Sequence, residues 1–311
     1  MIRLAVRVRR EDAEVVLAEL LELAPSGVEE AEVGEGVVEY AVYGSPGELP
    51  ELPDLRAAAG EALVEVATSD LPDDWGERWK RFHRPVLIEP PALQLDREPA
   101  DRIPGLHVRP PWEPPSERAG VEEIVIDPGQ AFGTGAHAST RMCLELLLEL
   151  AAEKGERRAP GAAEKGVPAH GNGPLLDVGT GSGVLAIAAA RLGFGPIVGL
   201  DNEQESVQAA RENARVNGAE VEVRHFDLRR EPLPPVGGAA APTVLANLLR
   251  PLLLDLARSL KSAPADLVAG GLLIEQADEL VGVFEKSLNV HERKRRTSGE
   301  WAAVWLTAVG A

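Results

Sequence analysis

The chain has 311 residues, enough to bury a sizeable core in one large domain or two unequal ones. Its 32 Lys and Arg stand against 50 Asp and Glu, a net charge of −18, which argues against nucleic acid as a direct partner because phosphate binding needs a basic footprint. Cys143 is the single cysteine, which excludes an internal disulfide and a Cys-rich metal site, and the six histidines show no metal-ligand spacing.

The N-terminus, Met1-Ile-Arg-Leu-Ala-Val-Arg7, lacks the apolar run of a signal peptide, and no apolar run reaches bilayer-spanning length. A soluble, cytoplasmic protein with no membrane partner is therefore expected. Residues 1–70 read as a small α+β unit. Ile2, Leu4, Val6 and Val8 alternate at strand period, and Asp12 opens a helix with Val15, Val16, Leu20 and Leu23 on one face. Val28–Val33 and Val37–Val42 form a hairpin turning at Gly34–Gly36. A helix around Leu55–Leu63 and a strand at Leu63–Ala67 complete a β-α-β-β-α-β order, the ferredoxin-like arrangement. This region carries five arginines against sixteen acidic residues, a local charge of −11. Such asymmetry suits a docking surface for a basic partner, although a merely solvated face has the same signature.

A short amphipathic helix, Asp73–Phe82, places Trp75, Trp79 and Phe82 at helical spacing and links the two parts, with the linker set at residues 71–84. From Pro85 to Pro115 prolines are dense, which predicts an extended lead-in with short strands at best. Asp127–Thr140 then holds three glycines and a proline in fourteen residues. Gly133 and Gly135 straddle Thr134, so the backbone there can bend sharply and admit a ligand closely. Ser139 and Thr140 are candidate N-caps for a helix carrying Leu144, Leu147, Leu148 and Leu150. An N-terminus of that kind suits a carboxylate, while a tight structural turn explains the same residues.

Residues 151–173 and 231–242 have few large apolar side chains and read as surface loops. From Leu175 strands and helices alternate, which predicts a doubly wound α/β sheet over residues 85–311. Strands are expected at 175–178, 196–200, 221–225, 243–246, 270–274 and 301–307, with helices at 184–192, 203–217 and 251–260. The run Arg293-Lys-Arg-Arg296 reads as a solvated strand edge or turn.

Asp177-Val-Gly179-Thr-Gly181-Ser-Gly183 follows a strand and opens a helix, the setting of a nucleotide-binding glycine loop. Val184 stands where a dinucleotide fingerprint has Gly or Ala, which weighs against NAD or FAD. Asp201 ends the next strand, where a carboxylate can accept hydrogen bonds from both ribose hydroxyls. Asn247 ends the fourth strand on the same side, as an amide that can hold an amine proton or as a turn cap.

Together these segments resemble the ribosomal protein L11 methyltransferase (PrmA-type) family. The matching pieces are Trp75…Trp79…Phe82-His83-Arg-Pro85, Pro110-Pro-Trp112, Asp127–His137, Asp177–Gly183, Gly199-Leu-Asp201, Ala246-Asn-Leu-Leu249 and Glu300-Trp301. The resemblance implies a Rossmann-like methyltransferase sheet with a smaller N-terminal substrate-recognition domain, and S-adenosylmethionine as cofactor. By position Thr140, Gly179, Gly181, Gly183, Asp201 and Asn247 match cofactor-binding residues, and Phe132 and Thr134 lie in the loop that closes over the methionine part. It further implies N-methylation of lysine and α-amino groups of ribosomal protein L11; Asn247, the backbone near Leu248 and the Asp127–His137 loop are the candidates for positioning the amine. His137 acts either as a proton acceptor or as a support of its own loop. The chain departs from the family at Ala138, where proline is usual, and in a tighter segment after Asn247. Rival readings keep the chemistry on another protein lysine or a small amine, retain the cofactor site without turnover, or, more distantly, make the chain a dinucleotide oxidoreductase.

Overall fold

The computed structural model describes residues 2–13, 16–17, 20, 29–34, 36–44, 55–56, 59–70, 83–90, 103–128, 135, 137–156, 171–236 and 242–310. Contacts divide the chain into two units, Met1–Phe82 and His83–Ala311. The linker helix expected over residues 73–82 lies outside the described residues, as do Phe132 and Thr134.

In the first unit β1 (Ile2–Arg9), β2 (Glu29–Gly34), β3 (Val37–Gly44) and β4 (Leu63–Asp70) form an antiparallel sheet in the order β2-β3-β1-β4. The strand period decides its two faces. Leu4, Val6 and Val8 point into a core with Val16, Leu20, Tyr40 and Leu55. Arg3 and Arg7 point the other way and pair with Glu39 at 2.5 and 2.7 Å, and Arg7 also reaches Glu65 at 2.5 Å. Helical residues are described at 13, 16, 17 and 20 and at 55, 56 and 59. The ferredoxin-like assignment stays an expectation from the sequence.

The second unit opens with a small sheet of β5 (Val86–Ile88), β6 (Gly105–Arg109) and β7 (Val121–Val125), of which β7 was not anticipated. Helix α1 (Ala138–Glu156) lies between this sheet and the main one. That position explains why Leu144, Leu146, Leu147, Leu148 and Leu150 are all buried although they circle the helix. Each contributes about 1.5–3 kcal/mol of burial free energy. Residues 151–156, expected as loop, continue α1, because Ala151 and Ala152 are buried too.

The main sheet contains β8 (Leu175–Val178), β9 (Ile197–Asp201), β10 (Val221–His225), β11 (Thr243–Asn247), β12 (Asp266–Leu273), β13 (Val290–Ser298) and β14 (Trp301–Ala308). Their order is β10-β9-β8-β11-β12-β14-β13, parallel except for β14. Alternate residues feed two cores: Leu175, Leu245, Val268 and Trp305 face α1 and α2 (Val184–Arg191), while Leu176, Val244, Leu267 and Leu306 face α4 (Arg250–Ser259) and α5 (Ile274–Leu288). Burial on both faces gives these strands their unbroken apolar runs. Helix α3 (Gln204–Val216) follows β9. Ile274, expected at the end of a strand, instead begins α5, whose Ala277, Leu280, Val281, Phe284 and Leu288 recur at helical spacing and are buried. Among the described residues no helix is long and apolar enough to cross a membrane.

The basic run Arg293–Arg296 belongs to the edge strand β13. Glu145, Glu149 and Glu153, four residues apart on α1, meet it. Lys294 lies 2.6 Å from Glu149, Arg293 is 3.3 Å from Glu153, and Arg296 pairs with Glu145 at 3.3 Å and with Glu149. These cations are therefore spent within the fold. Glu149→Ala is expected to lower stability by about 1–3 kcal/mol, since it strips two cations of a nearly buried partner. The exposed pair of Glu222 with Arg224 provides the contrast: Glu222→Ala should leave the urea midpoint essentially where it is. Equal midpoints for the two variants would contradict the ladder's role.

Candidate functional site

The order of the main sheet reverses between β8 and β11, because the chain first runs outward through β9 and β10 and then returns to the other side of β8. In open α/β sheets the crevice outside the carboxyl ends at that reversal is where ligands bind. Four of the residues singled out from the sequence converge there with His137.

The glycine loop leaves β8 at Gly179, whose φ of 74° is reached cheaply only without a Cβ. A Cβ at Gly179 would also overlap the side chain of Leu248. The loop folds over the end of β9: Gly179 N–H and Thr180 N–H donate to the Leu200 carbonyl at 2.8 and 2.9 Å. The Asp201 carboxylate is fixed by two amides, accepting from Gly181 N–H at 2.9 Å and Glu203 N–H at 3.0 Å. Each oxygen keeps lone pairs for further donors. Beneath it Asp177 is fully buried and accepts a hydrogen bond from the Thr180 hydroxyl at 2.7 Å. Burial, reinforced by the neighbouring charge of Asp201, pushes the Asp177 carboxyl up to about 7.

Asn247 ends β11, and its Nδ2 donates to Thr140 Oγ1 at 3.0 Å. Its Oδ1 is buried without a hydrogen-bond partner among the described residues. Two glycines of β12 make room for this segment. A Cβ at Gly270 would overlap Cys143 Sγ and lie 3.0 Å from Asn247 Oδ1, and one at Gly271 would lie 2.5 Å from the Leu248 carbonyl oxygen. Leu248 is thus held between Gly179 and Gly271.

His137 takes the N-cap place at the start of α1, correcting the expectation that Ser139 or Thr140 would. Its carbonyl accepts from Arg141 N–H at 3.0 Å, and its Nδ1 accepts from Ser139 N–H at 3.3 Å. Ser139 Oγ lies 2.8 Å from the same nitrogen. The imidazole meets Trp301 edge to face, with centroids 4.9 Å apart. Ala138 stands at the first helical position, where proline is equally welcome, so this departure from the family pattern is structurally mild.

A cleft of about 400 Å³ joins these groups, lined by His137, Ser139, Gly179, Gly181, Asp201, Asn247, Leu248, Gly271 and Trp301 among others. A second space of about 210 Å³ adjoins it across Gly179, Asp201 and Leu248, and is walled by Val178, Leu200, Phe226, Asp227 and Leu228. Reasoning from the sequence missed this second wall. The carboxyl end of β10 was the signal for it, since Phe226 follows that strand directly. Two matched residues do not line the cleft. Gly183 caps α2 and admits Ala210 of α3, and Thr140 acts on Asn247 from within α1.

The Asp201 carboxylate, the bare glycine backbone and the adjoining space beside Phe226 leave room for a nucleoside-bearing cofactor. With the reversed strand order and the antiparallel β14, they define a Rossmann-like, S-adenosylmethionine-dependent methyltransferase. The family model for "Ribosomal protein L11 methyltransferase (PrmA)" matches residues 59–308, and the chain belongs to that family. A ribosomal protein L11 methyltransferase of Geobacter metallireducens is 35% identical over 76% of this chain and 67% of its own length. One of Geotalea daltonii is 36% identical over 75% and 67%. The matches thus span about two thirds of these relatives. Among solved structures, ribosomal protein L11 methylase of Lactobacillus delbrueckii subsp. bulgaricus aligns with a TM-score of 0.49 at 26% identity, over 65% of this chain and 94% of that one.

The raised Asp177 carboxyl has a consequence for stability. In the unfolded chain it ionises near 3.8, whereas in the fold it keeps its proton to about 7. The folded state therefore binds the extra proton between those values, and stability falls as pH rises through that window. Asp177→Asn lacks the titration. Urea unfolding from pH 4 to 8 should show wild type losing ground to the variant by on the order of 3–4 kcal/mol, with a constant gap above the window. Parallel stability curves would contradict a buried, protonated Asp177.

Proposed function

We propose that this chain transfers methyl groups from S-adenosylmethionine to lysine and α-amino groups of ribosomal protein L11. The observation that carries the reading is the convergence of the glycine loop, Asp201 and the Thr140-bound Asn247 on one cleft. The relatives' names supply the acceptor.

In this reading Asp201 holds the ribose hydroxyls, the Gly179–Gly181 backbone lies against the cofactor, and Phe226 and Leu200 wall the base. The bound cofactor supplies an electrophilic methyl on a sulfonium. The protein's task is to align a neutral amine with it and to keep water out. Leu248, Leu249 and Trp301 line the cleft and desolvate the amine, which lowers its pKa toward the reactive neutral form. Asn247 lines the cleft and is held there by its Nδ2 bond to Thr140, which sets its amide beside the place for the amine. His137 supports the start of its helix through the Ser139 N–H bond to Nδ1. Phe132 and Thr134 keep the role the family resemblance gives them, and the acidic N-terminal unit is the surface offered to the basic protein. Modification of another protein lysine or a small amine uses the same groups.

The test is incubation of purified ribosomal protein L11 with the enzyme and S-adenosylmethionine, followed by intact-mass measurement. Mass steps of one methylene are expected. Asp201→Ala should abolish them and weaken S-adenosylhomocysteine binding about a hundredfold, as expected for losing two charge-assisted hydrogen bonds. Tight cofactor binding with unmodified L11 would move the acceptor elsewhere.

A further inference from the structure

Asn213, in the last turn of α3, and Asn217, its C-cap, sit four residues apart, and both are buried. Neither lines the cleft. Asn217 Oδ1 accepts from Val125 N–H at 2.8 Å, while its Nδ2 donates to the Val125 carbonyl at 2.7 Å and to the Asn213 carbonyl at 2.8 Å. Its amide thus supplies a strand-like partner to β7, which lies at the edge of the small sheet. Asn213 does something different. Its Oδ1 accepts from Asp127 N–H at 3.0 Å, and its Nδ2 donates to the Ser182 carbonyl at 2.9 Å. One amide therefore joins the first residue of the Asp127–Thr140 loop to the middle of the glycine loop.

Both ends of that link matter to the cleft. Ser182 follows Gly181, whose N–H fixes Asp201, and the Asp127 segment leads to His137, which lines the cleft. Removing the amide would break the two hydrogen bonds through which one side chain ties Asp127 N–H to the Ser182 carbonyl. We propose that Asn213 is a positioning residue. It sets the root of the Asp127–Thr140 loop against the glycine loop, so that cofactor affinity depends on a side chain outside the cleft. The proposal rests on the reading of the cleft as the S-adenosylmethionine site. Asn217 bonds Val125 and the Asn213 carbonyl but not the glycine loop, and so it separates positioning from mere stability.

The experiment titrates S-adenosylhomocysteine into wild type, Asn213→Ala, Asn213→Asp and Asn217→Ala. Urea unfolding is run on each, along with amide hydrogen exchange of the free proteins. Asn213→Ala is expected to bind about tenfold more weakly, and its Gly181–Gly183 amides should exchange faster even without ligand. Asn217→Ala should lose stability yet bind within about twofold of wild type. Asn213→Asp keeps the acceptor for Asp127 and loses the donor to Ser182. Its affinity should recover relative to wild type as pH falls and the new carboxyl gains a proton, a readout that a purely structural role would not move. If Asn213→Ala does not fold, this pH recovery decides the matter. Wild-type affinity in Asn213→Ala, an equal loss in Asn217→Ala, or no recovery in Asn213→Asp would overturn the proposal. Failure of wild type itself to bind would instead refute the cofactor reading, and unchanged glycine-loop exchange in Asn213→Ala would then overturn the coupling on its own.

Discussion

The site depends on how closely the Asn247–Leu248 backbone can be brought to its neighbours. Gly179 on one side and Gly270–Gly271 on the other lack the Cβ atoms that would overlap Leu248, Cys143 or the Leu248 carbonyl. With those glycines in place, the fourth strand of the parallel set delivers Asn247 to Thr140 and to the floor of the cleft. The glycine loop can meanwhile fold back over β9 and lend an amide to Asp201. Three chain segments distant in sequence thus share a space that side chains at these positions would fill. Packing at interior density makes that arrangement a discrete one, because a single added methyl has nowhere to go.

Charge is distributed on the same principle of local satisfaction. Two carboxylates lie close together at the ends of β8 and β9, and their surroundings separate them. Asp201 receives two backbone amides and keeps lone pairs toward the cleft. Asp177 is buried under the loop, receives one hydroxyl and holds its proton to about 7. On the far side of α1, acids at every fourth residue absorb the cations of the edge strand β13. A basic run that could pass for a phosphate-binding patch is in this way part of the scaffold that holds α1, and α1 carries Thr140 and the His137 cap.

Much of this was legible in the residues. The strand, glycine loop and helix at 175–192, the acid at the end of the next strand and the asparagine at the end of the fourth follow from hydrophobic runs bounded by glycine, and the fold brings them together. What escaped had physical reasons. The lead-in was expected to hold short strands at best, and β7 at 121–125 was not anticipated at all, because this small sheet packs against α1, a distant partner that no local pattern announces. The N-cap went to His137 because an imidazole nitrogen can accept a backbone N–H as a hydroxyl does, although capping preferences favour serine and threonine. Asn213 and Asn217 look like polar residues of a solvated helix end, since burial against β7 and the glycine loop is a tertiary fact. The Gly270–Gly271 pair inside a strand was a readable sign of close backbone approach, and Phe226 was readable from its place after the third strand.

The central claim is that the crevice between β8 and β11 is the methyl-donor site, with Asp201 on the ribose. A crystal structure of the protein grown with S-adenosylhomocysteine tests it most directly. The expected result is electron density for the ligand in the joined clefts, with both ribose hydroxyls within hydrogen-bonding reach of Asp201 and the base against Phe226. Density placed elsewhere, or a ribose that does not approach Asp201, would contradict it.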